Sequence, residues 1–226
     1  MNKRKSIKAF LMKYKHAWVF LYAFIYMPWF MYLEANVTSG YHIIHSSIDD
    51  MIPFVEFFII PYLLWFVFIA AVVLYFFFTD VPGFYRLCTL LFTGMTIFLI
   101  ISTFFPNGLA LRPTVFTRDN VFVDMVKVLY AADTSTNVLP SLHVFNSLGV
   151  CIAIAHSTAL SEHRITRHCC YILAGLIVLA TMFLKQHSVI DVAAGFIMAH
   201  GLYVVIYAPA ASKDVARRLS RRSASL

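Results

Sequence analysis

The chain has 226 residues, of which 61% are hydrophobic and 13% charged, and its formal net charge is +7. So much apolar side chain in a chain of this length excludes a soluble globular domain, and its apolar runs reach the length a bilayer requires. Nor does the positive charge signal nucleic acid, because the cations sit in tails and short loops beside apolar runs, where they orient a membrane protein.

The basic start, Met1-Asn-Lys-Arg-Lys, looks like the opening of a signal peptide. The stretch 17–33 behind it is long, aromatic and broken by Pro28, with no small-x-small cleavage site, so an uncleaved first span is expected. Hydropathy predicts six transmembrane helices, near 17–35, 54–78, 86–104, 141–160, 169–185 and 190–209. The expected class is an all-α polytopic membrane protein. Residues 17–210 form its single six-helix domain, and basic tails cover 1–16 and 211–226.

With six spans, both tails and the loops after spans two and four share one side. That side holds all of the 18 Lys and Arg residues except Arg112, Arg118, Lys127 and Lys185. The asymmetry predicts cytoplasmic termini and puts the 105–138 loop and Lys185 outside, at the cell membrane. Within that loop, 120–131 is too short to span. Val121, Met125, Val128 and Leu129 share one helical face, which predicts either an interfacial helix that roofs the outer side or a plain connector with some helix. Cys88, Cys151, Cys169 and Cys170 have no metal-type spacing and read as small buried hydrophobes.

Two polar strings break the apolar runs at the outer face. Pro140-Ser141-Leu142-His143 opens the fourth span, where a helix N-terminus with a serine hydroxyl attracts phosphate, and a histidine can protonate a leaving oxygen. Polar groups in a membrane helix are costly and usually functional. Lys185-Gln-His187 leads into the sixth span, and Asp191 follows His187 by one helical turn. A carboxylate there fixes the imidazole tautomer and leaves the other nitrogen for nucleophilic or proton-transfer work. The same spacing also arises in plain polar caps, and His45-Ser-Ser-Ile-Asp49 repeats it in the first outer loop. Arg112 and Lys185 are the cations at hand for a phosphate. A metal site built from His143, His187, Asp191, His45 and Asp49 lacks metal-type spacing, so no metal and no cofactor are expected.

Arg-Pro, Pro-Ser-x-His and His-x-x-x-Asp in this order resemble the type 2 phosphatidic acid phosphatase superfamily, whose signatures are K-x6-R-P, P-S-G-H and S-R-x5-H-x3-D. The resemblance implies a lipid phosphatase with His187 as nucleophile, Asp191 as its orienting partner, His143 as general acid, and Arg112 as phosphate clamp, aided by Lys185 and Ser141. Phe105, Leu142 and Ala180-Thr181 stand where the family has its lysine, glycine and Ser-Arg pair. In P-S-L-H and K-x-H-x-x-x-D the chain looks more like the inositol phosphorylceramide synthases, which pass a phosphoryl-linked headgroup to an alcohol. The expected partners are the bilayer and a lipid phosphate. A transporter or scaffold of the same fold without catalysis is the remaining alternative.

Overall fold

The structure, a computed structural model, describes residues 12–209, so the parts of the expected basic tails at 1–11 and 211–226 lie outside the described residues. A 3-10 segment, Lys15–Tyr22, runs into α1 (Ala23–Asn36), which carries Pro28 in its interior. The loop beyond it contains β1 (His42–Ile43) and the short α2 (Ser47–Met51). A 3-10 turn, Glu56–Phe58, then leads into α3 (Ile59–Thr79). Asp80 separates α3 from α4 (Val81–Phe104). Its carboxylate accepts the Gly83 N–H at 3.0 Å, and Pro82 occupies the first turn, where no amide proton is needed.

Beyond α4, β2 (Asn107–Gly108) pairs in parallel with β1. Four helices complete the fold: α5 (Val121–Ala132), α6 (Leu142–His156), α7 (Arg164–Phe183) and α8 (Val189–Ile206). Among the described residues, five helical segments are long and apolar enough to cross a bilayer: Lys15–Asn36, Glu56–Thr79, Val81–Phe104, Arg164–Phe183 and Val189–Ile206. The expected fourth span, 141–160, is a shorter apolar helix, α6, of 15 residues. At 1.5 Å per residue it is about 22 Å long, short of the roughly 30 Å of a hydrocarbon core.

That shortfall has a structural reason. Helix α6 is enclosed by α3, α4, α7 and α8, so its sides meet protein. Phe145, Val150, Ala153 and Ile154 pack into the main core with Phe84, Leu87, Leu90 and Ile177. Gly94 lets α4 approach closely, because a Cβ there would run into the Phe145 ring. Above the start of α6 lies irregular backbone pinned by the buried Asn107. The Asn107 side-chain oxygen accepts the N–H groups of Val138 and Leu139, each at 2.9 Å.

Helix α5 forms where the sequence places it, with Asn120 accepting the N–H groups of Phe122 and Val123. Glu56, itself buried, holds the approach to this helix by accepting from Arg118 and Asn120. Val126 packs with Ile59, Tyr62, Ala180 and Leu184 in a second core. Of the four cysteines expected to be buried, Cys88 is, Cys151 and Cys170 are half-buried, and Cys169 near the start of α7 is exposed.

Candidate functional site

His143 in the first turn of α6 and His187 in the turn before α8 meet although 44 residues separate them. His143 Nδ1 lies 3.4 Å from His187 Nε2. The His143 ring rests against Tyr62 and Trp65, with ring centroids 4.6 Å and 4.4 Å away. On the far side of His187, Nδ1 is 3.5 Å from an Asp191 carboxylate oxygen. The order Asp191, His187, His143 is thus a line of three groups.

Asp191 has two tasks. The oxygen that faces His187 also accepts the Ser188 N–H at 2.9 Å, closing a capping box at the start of α8. The capping bond is the shorter one. The second Asp191 oxygen and His187 Nδ1 are buried without a hydrogen-bond partner among the described residues.

The turn that carries His187 is held from outside. Lys185 adopts a left-handed conformation (φ 52°), and the Gln186 and His187 amides both bond the Thr181 carbonyl. Asp49 then grips the next residues, accepting the Ser188 hydroxyl at 2.6 Å and the Val189 N–H at 2.8 Å. Lys185 Nζ completes the clasp by donating to the carbonyls of Asp49 and Ile52. The His45–Asp49 spacing is therefore no second copy of the His187–Asp191 pair: His45 bonds Asp50 at 2.9 Å, and Asp49 is a support for the histidine turn.

The cations expected at a phosphate are placed as follows. Arg112 Nη1 donates to the carbonyls of Tyr130 and Asp133, and Nη2 to Thr134 O at 2.8 Å and Gln186 Oε1 at 2.5 Å. Its guanidinium also lies over the Tyr130 ring, 4.6 Å from the centroid. Burial lowers its pKa, opposed by the nearby Asp133, and an arginine remains charged throughout the working pH range. Arg112 thus braces the segment over the site and reaches Gln186, the neighbour of His187. The Ser141 hydroxyl is fully buried and accepts the Val144 N–H at 3.4 Å as an N-cap. Neither Arg112, Lys185 nor Ser141 lines the cavity into which the histidines open, whereas His143 and His187 do.

That cavity has a volume of about 860 Å³. Its walls are Met27 and Phe30 of α1, Tyr62, Trp65 and Phe66 of α3, and Val121, Met125, Val128 and Leu129 of α5. All four residues expected on the inner face of the interfacial helix belong to this lining. Met27, Phe66, Val121 and Val128 are also exposed at the surface, so the cavity communicates with the side of the bundle.

Several polar groups of the cavity carry no signature in sequence. Glu34 accepts from Thr134 Oγ1 at 2.5 Å and from Asn137 Nδ2 at 2.7 Å. Tyr62 OH donates to Asp133 at 3.4 Å. Burial raises the Asp133 pKa, with Arg112 opposing it. Asn146, one turn beyond His143, and Gln186 also line the cavity. A sequence signal existed for Asn146, a polar residue inside an apolar run, and for Gln186, which stands in the polar string before the sixth span. No known protein family matches the chain, and neither a curated protein nor a solved structure matches it significantly.

Proposed function

We propose that the chain is an integral-membrane enzyme of phosphoryl chemistry on lipids, a divergent relative of the type 2 phosphatidic acid phosphatases. The observation that carries this reading is the line Asp191–His187–His143 opening into an apolar cavity that reaches the side of the bundle. Six spans, cytoplasmic termini and a site at the outer face of the cell membrane belong to the same proposal. They rest on the one-sided distribution of Lys and Arg.

In this mechanism His187 Nε2 attacks phosphorus, and the Asp191 carboxylate, 3.5 Å from Nδ1, orients the ring once the pair closes to a hydrogen bond. The 3.4 Å between the two imidazoles has no room for a phosphorus atom, so substrate must part them. His143 turns within its Tyr62 and Trp65 contacts and protonates the departing lipid alcohol. Water then resolves the phosphohistidine, with His143 taking its proton. The lipid tails occupy the space between α1, α3 and α5.

One observation favours transfer of a phosphoryl-linked headgroup as a second reading. Every Nη hydrogen-bonding direction of Arg112 already meets a carbonyl, and Lys185 faces away from the cavity. A doubly charged phosphomonoester lacks its usual counter-charge here, whereas a phosphodiester carries a single charge. Purified full-length protein incubated with lipids labelled at phosphorus tests both readings. Hydrolysis yields free phosphate or a free headgroup phosphate, and transfer yields a new diester only when an alcohol acceptor is present. Both predict an acid-labile phosphohistidine that His187→Ala abolishes. Absence of turnover on every lipid phosphate would leave the inactive scaffold.

A further inference from the structure

Beside the histidine pair the cavity has two buried donors without partners among the described residues, together with one such acceptor, Asn146 Oδ1. Gln186, 3% exposed, has its oxygen committed to Arg112, which leaves Nε2 as a buried donor without a partner among the described residues. Trp65 Nε1, on the ring that packs at a tilt against His143, is a second such donor. Elsewhere on the wall are acceptors. Asn137, 6% exposed, donates from its amide nitrogen to Glu34 and to Thr136 Oγ1, and its Oδ1 is a buried acceptor without a partner among the described residues. Glu34 and Asp133 add two carboxylates, a third, Asp124, is paired with Lys127, and among the described residues Arg112 is the guanidinium bonded to this segment. Aromatic rings flank both acids: Tyr26 and Phe30 lie on the α1 face that carries Glu34, and Tyr62 bonds Asp133.

We propose that the cavity takes a zwitterionic phosphodiester lipid, with the phosphate at His187, His143, Gln186 and Trp65, and a primary ammonium at Glu34, Asp133 and Asn137. An ammonium brings three donors to a group of acceptors and balances carboxylates that would repel any wholly anionic headgroup. The aromatic faces suit the same charge. The assignment rests on the reading of the histidine pair as a phosphoryl-transfer site. In the first step the His187 Nε2–phosphorus bond forms while the phosphorus–oxygen bond to diacylglycerol breaks, and the His143 proton goes to that oxygen. In the second, water or an acceptor alcohol gives its proton to His143 and its oxygen to phosphorus, which breaks the nitrogen–phosphorus bond. The ammonium-bearing headgroup leaves as its phosphate or as a new diester.

Binding is measured apart from turnover. Full-length protein in detergent, with Trp18→Phe and Trp29→Phe leaving Trp65 as the fluorophore and His187→Ala preventing reaction, is titrated with four probes. These are the short-chain lipids phosphatidylethanolamine, phosphatidylglycerol and phosphatidic acid with matched acyl chains, and free ethanolamine. The ethanolamine lipid is expected to bind roughly tenfold more tightly than the other lipids, the size of one charge-assisted hydrogen bond. Glu34→Gln and, separately, Asp133→Asn should bring that ratio towards unity. Equal binding of phosphatidylglycerol or phosphatidic acid by the parent protein overturns the proposal, as does an unchanged ratio in both variants. Free ethanolamine binding as tightly as the lipid overturns it too, since the ligand would then come from solution. Turnover of the same lipids by the unmodified chain keeps the two claims apart. Selective binding without turnover removes the phosphoryl-transfer reading and leaves the ammonium site, and turnover without selectivity does the reverse.

Discussion

The amide of Ser141 donates to the main-chain oxygen of Asp191 across 3.1 Å, and this bond ties the first turn of α6 to the first turn of α8. It sets at a fixed separation the start of α6, which carries His143, and the start of α8, which the His187 turn precedes. Gly195 keeps the same contact close: a Cβ there would lie 3.0 Å from the Ser141 carbonyl and 3.1 Å from Val144 Cβ. Gly195→Ala should therefore wedge α8 away from α6, lowering stability by about 1–3 kcal/mol through overpacking. Thermal unfolding in detergent reads the stability change, and a parallel fall in turnover reads the widened histidine pair.

The proton-donor role proposed for His143 has a leaving-group signature. His143→Ala should slow turnover of an alkyl lipid phosphate by about 100- to 10,000-fold, the usual range for a lost general acid. With an aryl phosphate ester, whose leaving group departs without a proton, the loss should be much smaller. An equal loss on both substrates would show that His143 acts by another route.

Lys185 and Asp49 should behave as positioning residues for His187. Asp49→Ala strands the buried Ser188 hydroxyl and the Val189 amide, which costs about 1–3 kcal/mol for each unsatisfied group. Turnover should fall with it as the turn loosens, and Asp49→Asn should restore part of both, since one amide oxygen can still accept. Lys185→Gln should lower the unfolding temperature while leaving KM for the lipid nearly unchanged, because its ammonium bonds Asp49 and Ile52. A large rise in KM alone would assign Lys185 to the phosphate instead.

The carboxyl of Asp133 gives a pH dependence of definite sign. Burial raises its pKa in the folded protein, and Arg112 only partly opposes the shift. The folded state thus holds this proton more tightly than the unfolded chain. The group's contribution to stability is complete below the unfolded carboxyl pKa and is lost as pH rises through the higher folded value. Asp133→Asn should remove that decline, and unfolding midpoints of both proteins across the acidic range measure it.

Much of this molecule is local in origin and so was open to reading from the chain alone. Continuous apolar runs specify membrane-length helices, Asp80 and Pro82 mark the break between α3 and α4, and Asn120 marks the start of α5. Pro140-Ser141 and Ser188 with Asp191 mark the starts of α6 and α8, because caps act over three or four residues. The short length of α6 was less accessible. Hydropathy runs on to residue 160, but the helix ends at His156 and begins under a plug of irregular backbone that Asn107 holds.

The partners of the charged groups were decided by tertiary structure. His45 and His187 have the same spacing to an aspartate, yet His45 turns to Asp50 and Asp49 reaches 139 residues along the chain to Ser188. Arg112 and Lys185 look free in sequence and are engaged by carbonyls in the fold. Glu34 reads as the polar end of a span, but it meets Thr134 and Asn137 on the wall of the cavity. Hydropathy and capping are sums over neighbours in the chain. A buried donor or acceptor takes whichever complementary group the packing of distant helices brings within 3 Å or so, and no local pattern encodes that choice.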